Sequence, residues 1–287
     1  MSRYAYVNGR FTRHADACVH IEDRGFQFAD GIYEVWAVFD GRLADAEGHF
    51  VRLERSLREL SIALPMSRAA LTLVLRQAVR RNRITDGILY LQITRGAARR
   101  DHAFPAAHII PSLVITARSM DFAAADARAA EGVAVVTTPD NRWGRCDIKT
   151  VGLLPNALAK QAARTAGAYE AWFVGADGYV TEGSSTNAWI LDREGVLRTR
   201  SAEDNILRGV TRTSLLQVAK EAGLIVSETP FTVEEAQAAR EAFVTSATSF
   251  VTPVVAIDGR AIGNGAPGSV ATDLRRRYID KARASLT

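Results

Sequence analysis

Apolar residues along this chain switch between two periods, and the switches do not alternate regularly. Residues 4–8 (YAYVN) repeat at every second position and end on Asn8-Gly9, a hairpin signal. Residues 32–39 (IYEVWAVF) read as a second strand, closed by Asp40-Gly41. Phe50, Leu53, Leu57 and Leu60 then recur at spacings of three and four, which predicts an amphipathic helix, and 70–82 predicts another. Strands at 88–94 and 112–117 follow back to back, around a long charged loop, RGAARRDHAFPAAH. Beyond residue 132 come a strand at 133–138, a helix near 155–167, strands at 171–175 and 188–191, and a helix opening near 209. A strand at 225–231, a short helix at 233–239, strands at 242–245 and 254–258 and a closing helix at about 267–283 complete the pattern. Strands that follow strands argue for an α+β fold and against a doubly wound sheet. The Ala/Asp-rich stretch 121–132 (DFAAADARAAEG) lacks a strand period and reads as an interdomain linker. It separates a small N-terminal α+β domain, 1–120, from a larger C-terminal one, 133–287.

Composition closes off several functions. Hydrophobic content of 47% and charged content of 24% over 287 residues allow a normal core. A net charge of +4 with no basic block interleaved with aromatics excludes nucleic acid as an expected partner. No apolar run approaches the roughly 18 residues that span a membrane, and MSRYAYVNGRFTRH has no signal-peptide core. Cys18 and Cys146 form neither a disulfide framework nor a metal spacing, so the expected location is cytoplasmic. His14, His20, His49, His102 and His108 show no ligand spacing, and no metal is expected. Walker A and GxSxG motifs are absent.

Lys149 stands out in RWGRCDIKTVG. Only Lys149, Lys160, Lys220 and Lys281 are lysine among the 36 Lys and Arg residues, and the other three fall in expected helices. Lys149 instead ends a short extended run. An amine can lose its proton and a guanidinium cannot, so a lysine kept here is a candidate nucleophile. A plain surface lysine is the alternative that composition leaves open. Lysine amines form Schiff bases with carbonyl substrates or with pyridoxal phosphate. The second case also needs a carboxylate for the pyridine nitrogen and a phosphate cradle. Glu182 in TEGSSTN offers the carboxylate. Gly209-Val210-Thr211, opening a helix, offers the cradle, with Arg52 or Arg208 as cation.

EDRGFQFADGIYEV (22–35), HFVRLERS (49–56), RWGRCDIKT (142–150), YEAWFVGADGYVTEGSSTNAW (169–189) and ILRGVTR (206–212) resemble, in order and spacing, the fold-type IV pyridoxal phosphate enzymes. That family comprises D-amino-acid and branched-chain aminotransferases, and the resemblance covers nearly the whole chain. It implies a two-domain α+β fold-type IV enzyme with a pseudo-barrel in its larger domain, binding pyridoxal 5'-phosphate. Lys149 would form the internal aldimine and move the α-proton. Glu182 would pair with the pyridine nitrogen. Arg52, Val210 and Thr211 would bind phosphate. TSATS (245–249) resembles the last phosphate loop; Ala247 stands where the D-amino-acid enzymes of that family tend to have threonine, and Thr248 would supply the missing hydroxyl.

The loop at 95–105 separates the subfamilies. Arg100-Asp101-His102 resembles the R-x-H element of D-amino-acid aminotransferases, which with a tyrosine matching Tyr33 traps the substrate carboxylate across a homodimer with shared active sites. Arg99 lies beside it, and either arginine fits. The resemblance therefore implies ping-pong transfer from D-amino acids such as D-alanine to 2-oxo acids such as 2-oxoglutarate. A branched-chain L-amino-acid aminotransferase, an (R)-selective amine transaminase and, less well, aminodeoxychorismate lyase are the alternatives. The first has no use for Arg100 and His102, and the second needs no carboxylate trap.

Overall fold

In the computed structural model, which describes residues 4–203 and 205–286, the chain divides into two compact units. One runs to Phe122 and takes back Ile148–Gly152; the other comprises Ala123–Asp147 and Leu153–Ala284.

The first unit is built on a six-stranded antiparallel sheet of β1 (Tyr4–Val7), β2 (Arg10–Arg13), β3 (Gly31–Phe39), β4 (Arg42–Leu43), β5 (Gly87–Thr94) and β6 (Ser112–Ser119). Its order is β2-β1-β6-β5-β3-β4. A five-residue helix, α1 (Arg24–Phe28), precedes β3, and α2 (Ala46–Glu59) and α3 (Arg68–Arg81) lie between β4 and β5. The core is Ile32 and Trp36 of β3, Leu89, Leu91 and Ile93 of β5 and Ile115 of β6, packed with Leu53 and Leu57 of α2 and Leu71 and Leu75 of α3. Because strand side chains alternate between faces, Tyr33 and Val35 point to the opposite side, where they are only half-buried.

The second unit holds a nine-stranded mixed sheet. Its strands are β7 (Val133–Pro139), β8 (Glu170–Val174), β9 (Val180–Gly183), β10 (Asn187–Leu191), β11 (Leu197–Arg198), β12 (Val226–Ser227), β13 (Glu241–Ser246), β14 (Phe250–Ile257) and β15 (Arg260–Ala261). The path is β12-β11-β10-β13-β14-β7-β8-β9, with β15 on β14. Gly183 N–H donates to Thr186 O at 2.7 Å, so edge strand β9 turns straight into β10 and the sheet curls back on itself. Helices α5 (Leu154–Thr165), α6 (Val210–Glu221), α7 (Val233–Gln237) and α8 (Ser269–Ala284) accompany it.

The structure departs from the sequence reading at two stretches and adds two short elements. Residues 121–132, expected as an interdomain linker, hold a helix: α4 spans Phe122–Glu131, with Ala125 and Ala129 buried one turn apart. Its stripe is made of alanine, which favours helix strongly but barely marks an apolar period. Gly132 ends it at φ 77°, donating to Arg128 O. The strand expected at 225–231 shrinks to Val226–Ser227, because Pro230 has no N–H to give a ladder. The apolar periods predict neither α1 nor β9.

Candidate active site

Lys149 owes its position to strand pairing in the first unit. Tyr33 N–H donates to Lys149 O at 3.0 Å and Val151 N–H to Gly31 O at 3.1 Å, so Ile148–Val151 runs antiparallel to the start of β3. Alternation sends Ile148 into the core and Lys149 to the other face, beside Tyr33. The Lys149 ammonium lies 4.1 Å from the centre of the Tyr33 ring. Among the described residues, no carboxylate pairs with it. Tyr90 stacks on Tyr33 with ring centres 5.7 Å apart and donates to Gln92 at 2.7 Å. Burial, with the neighbouring Tyr33, pushes the Tyr90 phenol up to about 12.

Beneath β3, on its core face, the side chain of Glu34 is fully buried. It accepts from Arg52 Nε at 2.7 Å and Nη2 at 2.8 Å, and from His49 Nδ1 at 2.8 Å. Burial would raise the pKa of Glu34, but the Arg52 charge and the hydrogen bonds of Arg52 and His49 outweigh it and hold it at about 2. Burial, aided by the Arg52 charge, lowers the His49 pKa against the opposing Glu34 hydrogen bond and charge. A carboxylate only accepts, so the neutral imidazole carries its proton on Nδ1. Arg52 is thus aimed by a buried ion pair supplied by the strand that also carries Tyr33.

In the second unit, Glu182 on β9 is gripped by three donors: Arg142 Nη1 at 2.5 Å, Asn187 Nδ2 at 3.1 Å and Leu207 N at 3.2 Å. Arg142 is itself held by Asp140 at 2.7 Å. Burial works against the guanidinium charge, yet the Asp140 hydrogen bond and the Glu182 charge raise its pKa above the usual value. Asp140, opposed by burial, is lowered by the Arg142 hydrogen bond and charge. Behind them Glu170, fully buried, accepts from Ser184, from Ser185 at 2.8 Å and from the Ala171 amide at 2.9 Å, which fixes the turn after Glu182.

Val210 and Thr211 open α6, whose N-cap is Gly209 with no side-chain cap. A Cβ on Gly209 would meet Asn187 Oδ1 at 2.1 Å, so the bare Cα lets this end close on Asn187. The Thr211 hydroxyl lies 3.3 Å from Tyr278 OH. Ala247 and Thr248 sit in the turn from β13 to β14, where the Ser246 hydroxyl accepts from the Thr248 amide at 3.4 Å and the Ser249 amide at 3.1 Å.

Arg100 and His102 meet at Phe28 of α1: the Arg100 guanidinium is 5.0 Å, and the His102 ring 5.5 Å, from its ring centre. Arg99 makes no such contact among the described residues. No hydrogen bond, ion pair or ring contact among the described residues joins Arg100 or His102 to Tyr33.

Reading the sequence missed Glu34, His49, Arg142 and Asn187. A signal existed for the first two. Glu34 lies at the core-facing parity of a strand, between Ile32 and Trp36, and a buried carboxylate requires partners. His49 and Arg52 sit three apart on the helix that covers that face. Among the described residues, no group of three or more His, Cys, Asp or Glu could hold a metal, and no helix is long and apolar enough to cross a membrane.

Comparison with known proteins fits this geometry. Residues 31–257 match the model of amino-transferase class IV. The chain is 41% identical over 268 residues to the D-alanine aminotransferase of Bacillus licheniformis, covering 93% of each. It is 37% identical to that of Staphylococcus aureus (strain MSSA476), covering 96% of this chain and 97% of the relative. The branched-chain aminotransferase of the thermophilic archaeon Thermoproteus uzoniensis, solved with norvaline, superposes with a TM-score of 0.87 at 26% identity, covering 100% of this chain and 99% of that one. Fold and matches define an aminotransferase of the α+β fold type IV. The chain belongs to the amino-transferase class IV family.

Proposed function

We propose that this enzyme moves the amino group of D-amino acids, D-alanine among them, to 2-oxo acids such as 2-oxoglutarate, using pyridoxal 5'-phosphate, as a cytoplasmic homodimer with shared active sites. The donor set suits that cofactor. The N-terminus of α6, uncapped by any side chain, suits a phosphate dianion. Glu182, locked by three donors, suits a protonated ring nitrogen. When bound, the cofactor supplies an electron sink for charge developing at the substrate α-carbon.

The chain's own residues do the rest. Lys149 would hold the cofactor through its amine and, with that amine released, would take the substrate α-proton at Nζ and deliver it to the cofactor instead of back to the α-carbon; positioned proton transfer of this kind contributes roughly 10²–10⁴-fold. Glu182 keeps the ring nitrogen protonated. Val210, Thr211, Thr248 and Arg52 hold the phosphate, with Arg52 oriented by Glu34. Tyr33, Arg100 and His102 bind the substrate carboxylate, and a fixed carboxylate selects one enantiomer at the α-carbon. Charge-assisted hydrogen bonds there contribute about 1.5–3 kcal/mol each.

The observation that carries the reading is a half-buried lysine amine held over Tyr33 with no carboxylate partner among the described residues. Conversion of D-alanine, L-leucine, (R)-1-phenylethylamine and aminodeoxychorismate, each assayed separately, tests it. D-Alanine should be the best donor, with parallel-line kinetics against 2-oxoglutarate. L-Leucine as the best donor would overturn the D-selective reading in favour of the branched-chain activity named for several structural neighbours.

A further inference from the structure

We infer that Arg24 is a positioning residue for the carboxylate loop: its buried guanidinium fixes the main chain at Asp101, His102 and Ala103, and through it the placement of Arg100 and His102. The inference rests on the proposed carboxylate-binding role of that loop.

Arg24 opens α1 and is 3% exposed. Its Nη1 donates to Asp101 O at 2.6 Å and Ala103 O at 3.3 Å, and its Nη2 to His102 O at 3.4 Å. One planar fork thus collects three successive carbonyls. Among the described residues, no other hydrogen bond reaches 99–104 from outside; the remaining one, Ala103 N–H to Asp101 Oδ1 at 3.1 Å, is internal. Residues 99–104 are otherwise mostly exposed. The loop's geometry therefore depends on this side chain.

Arg24 is itself held firmly. Its Nε donates to Asp30 Oδ2 at 2.8 Å, and Asp30 also binds Arg95 through Nε at 2.8 Å and Nη2 at 3.0 Å. Its own amide donates to Gly96 O at 2.9 Å. The preceding residue, Asp23, caps α1 through Gly25 N at 2.8 Å and accepts from Thr94 Oγ1 at 2.9 Å. The guanidinium also lies 4.7 Å from the Phe28 ring centre, the same ring that Arg100 and His102 touch. Asp30 thus ties two buried guanidiniums, Arg24 and Arg95, to one carboxylate, which fixes the orientation of the Arg24 fork. A lysine would keep the charge and lose the fork.

The test compares wild-type holoenzyme with Arg24→Lys and Arg24→Met. A misplacement of about 1 Å at a site can cost about 10²-fold. Arg24→Lys should therefore raise KM for D-alanine at least about tenfold. Its kcat, the KM for (R)-1-phenylethylamine and the cofactor absorbance should stay near wild type. Hydrogen exchange of the 99–104 amides should accelerate. Arg24→Met should act in the same direction and more strongly; if it does not fold, Arg24→Lys decides alone. Unchanged exchange and KM in Arg24→Lys, or an equal loss of kcat with both donors, would overturn the inference. Arg100→Ala run alongside separates the two levels. If it leaves KM for D-alanine unchanged, the carboxylate reading fails; if it raises KM while Arg24→Lys does not, only the Arg24 inference fails.

Discussion

Replacing Glu34 by glutamine should destabilise the first unit severely, and in a way that depends on pH. The side chain is fully buried, and two nitrogens of Arg52 and one of His49 converge on it. Its pKa falls from 4.5 to about 2 on folding. At about 1.4 kcal/mol per tenfold this amounts to about 3 kcal/mol of stability. Glutamine would also leave the Arg52 guanidinium without its buried counter-charge, and breaking such a pair costs about 3–5 kcal/mol. The two routes agree on the order of magnitude. The sign follows from the lowered pKa: the contribution is complete above pH 4.5 and is lost as pH falls through about 2. Urea unfolding of wild type and Glu34→Gln should differ by about 3 kcal/mol at pH 7, and by less than half of that at pH 3. A difference below about 1 kcal/mol at pH 7, or one that does not change with pH, would refute the ion-pair reasoning.

Gly209→Ala should weaken cofactor binding and lower Tm together, because the new methyl meets Asn187 Oδ1 at 2.1 Å and Asn187 is one of the three donors to Glu182; overpacking of this kind typically costs about 1–3 kcal/mol. Absorbance titration with pyridoxal phosphate checks it, and an unchanged Kd would count against the close approach. Cys146 is buried, and burial pushes its thiol up to about 11. Iodoacetamide at pH 8 should therefore label exposed Cys18 well before Cys146, read by peptide mass spectrometry; equal labelling rates would contradict the burial.

Much of the architecture was legible because alternation and helical period are printed in large apolar side chains. Trp36, Leu53, Leu57, Leu89 and Leu91 lie where those periods put them, in the core of the first unit. Helix α4 escaped because alanine carries propensity with little hydrophobic contrast, and α1 because five residues are too few to show a period. In the site, Lys149 was visible as an isolated lysine in an arginine-rich chain. The three grips on Glu182 were not, since Arg142 and Leu207 lie 40 and 25 residues away and only the fold brings them to one carboxylate. Arg24 was hidden for a different reason: an arginine beside a glycine reads as surface, and its partners are backbone carbonyls, which leave no mark in side-chain chemistry.

The attachment of the cofactor to Lys149 is tested most directly by borohydride reduction of the holoenzyme followed by peptide mapping. The account predicts a single cofactor-labelled peptide containing Ile148–Leu153, with the added mass on Lys149. A label on Lys160, Lys220 or Lys281 instead, or no covalent label in protein saturated with pyridoxal phosphate, would contradict it.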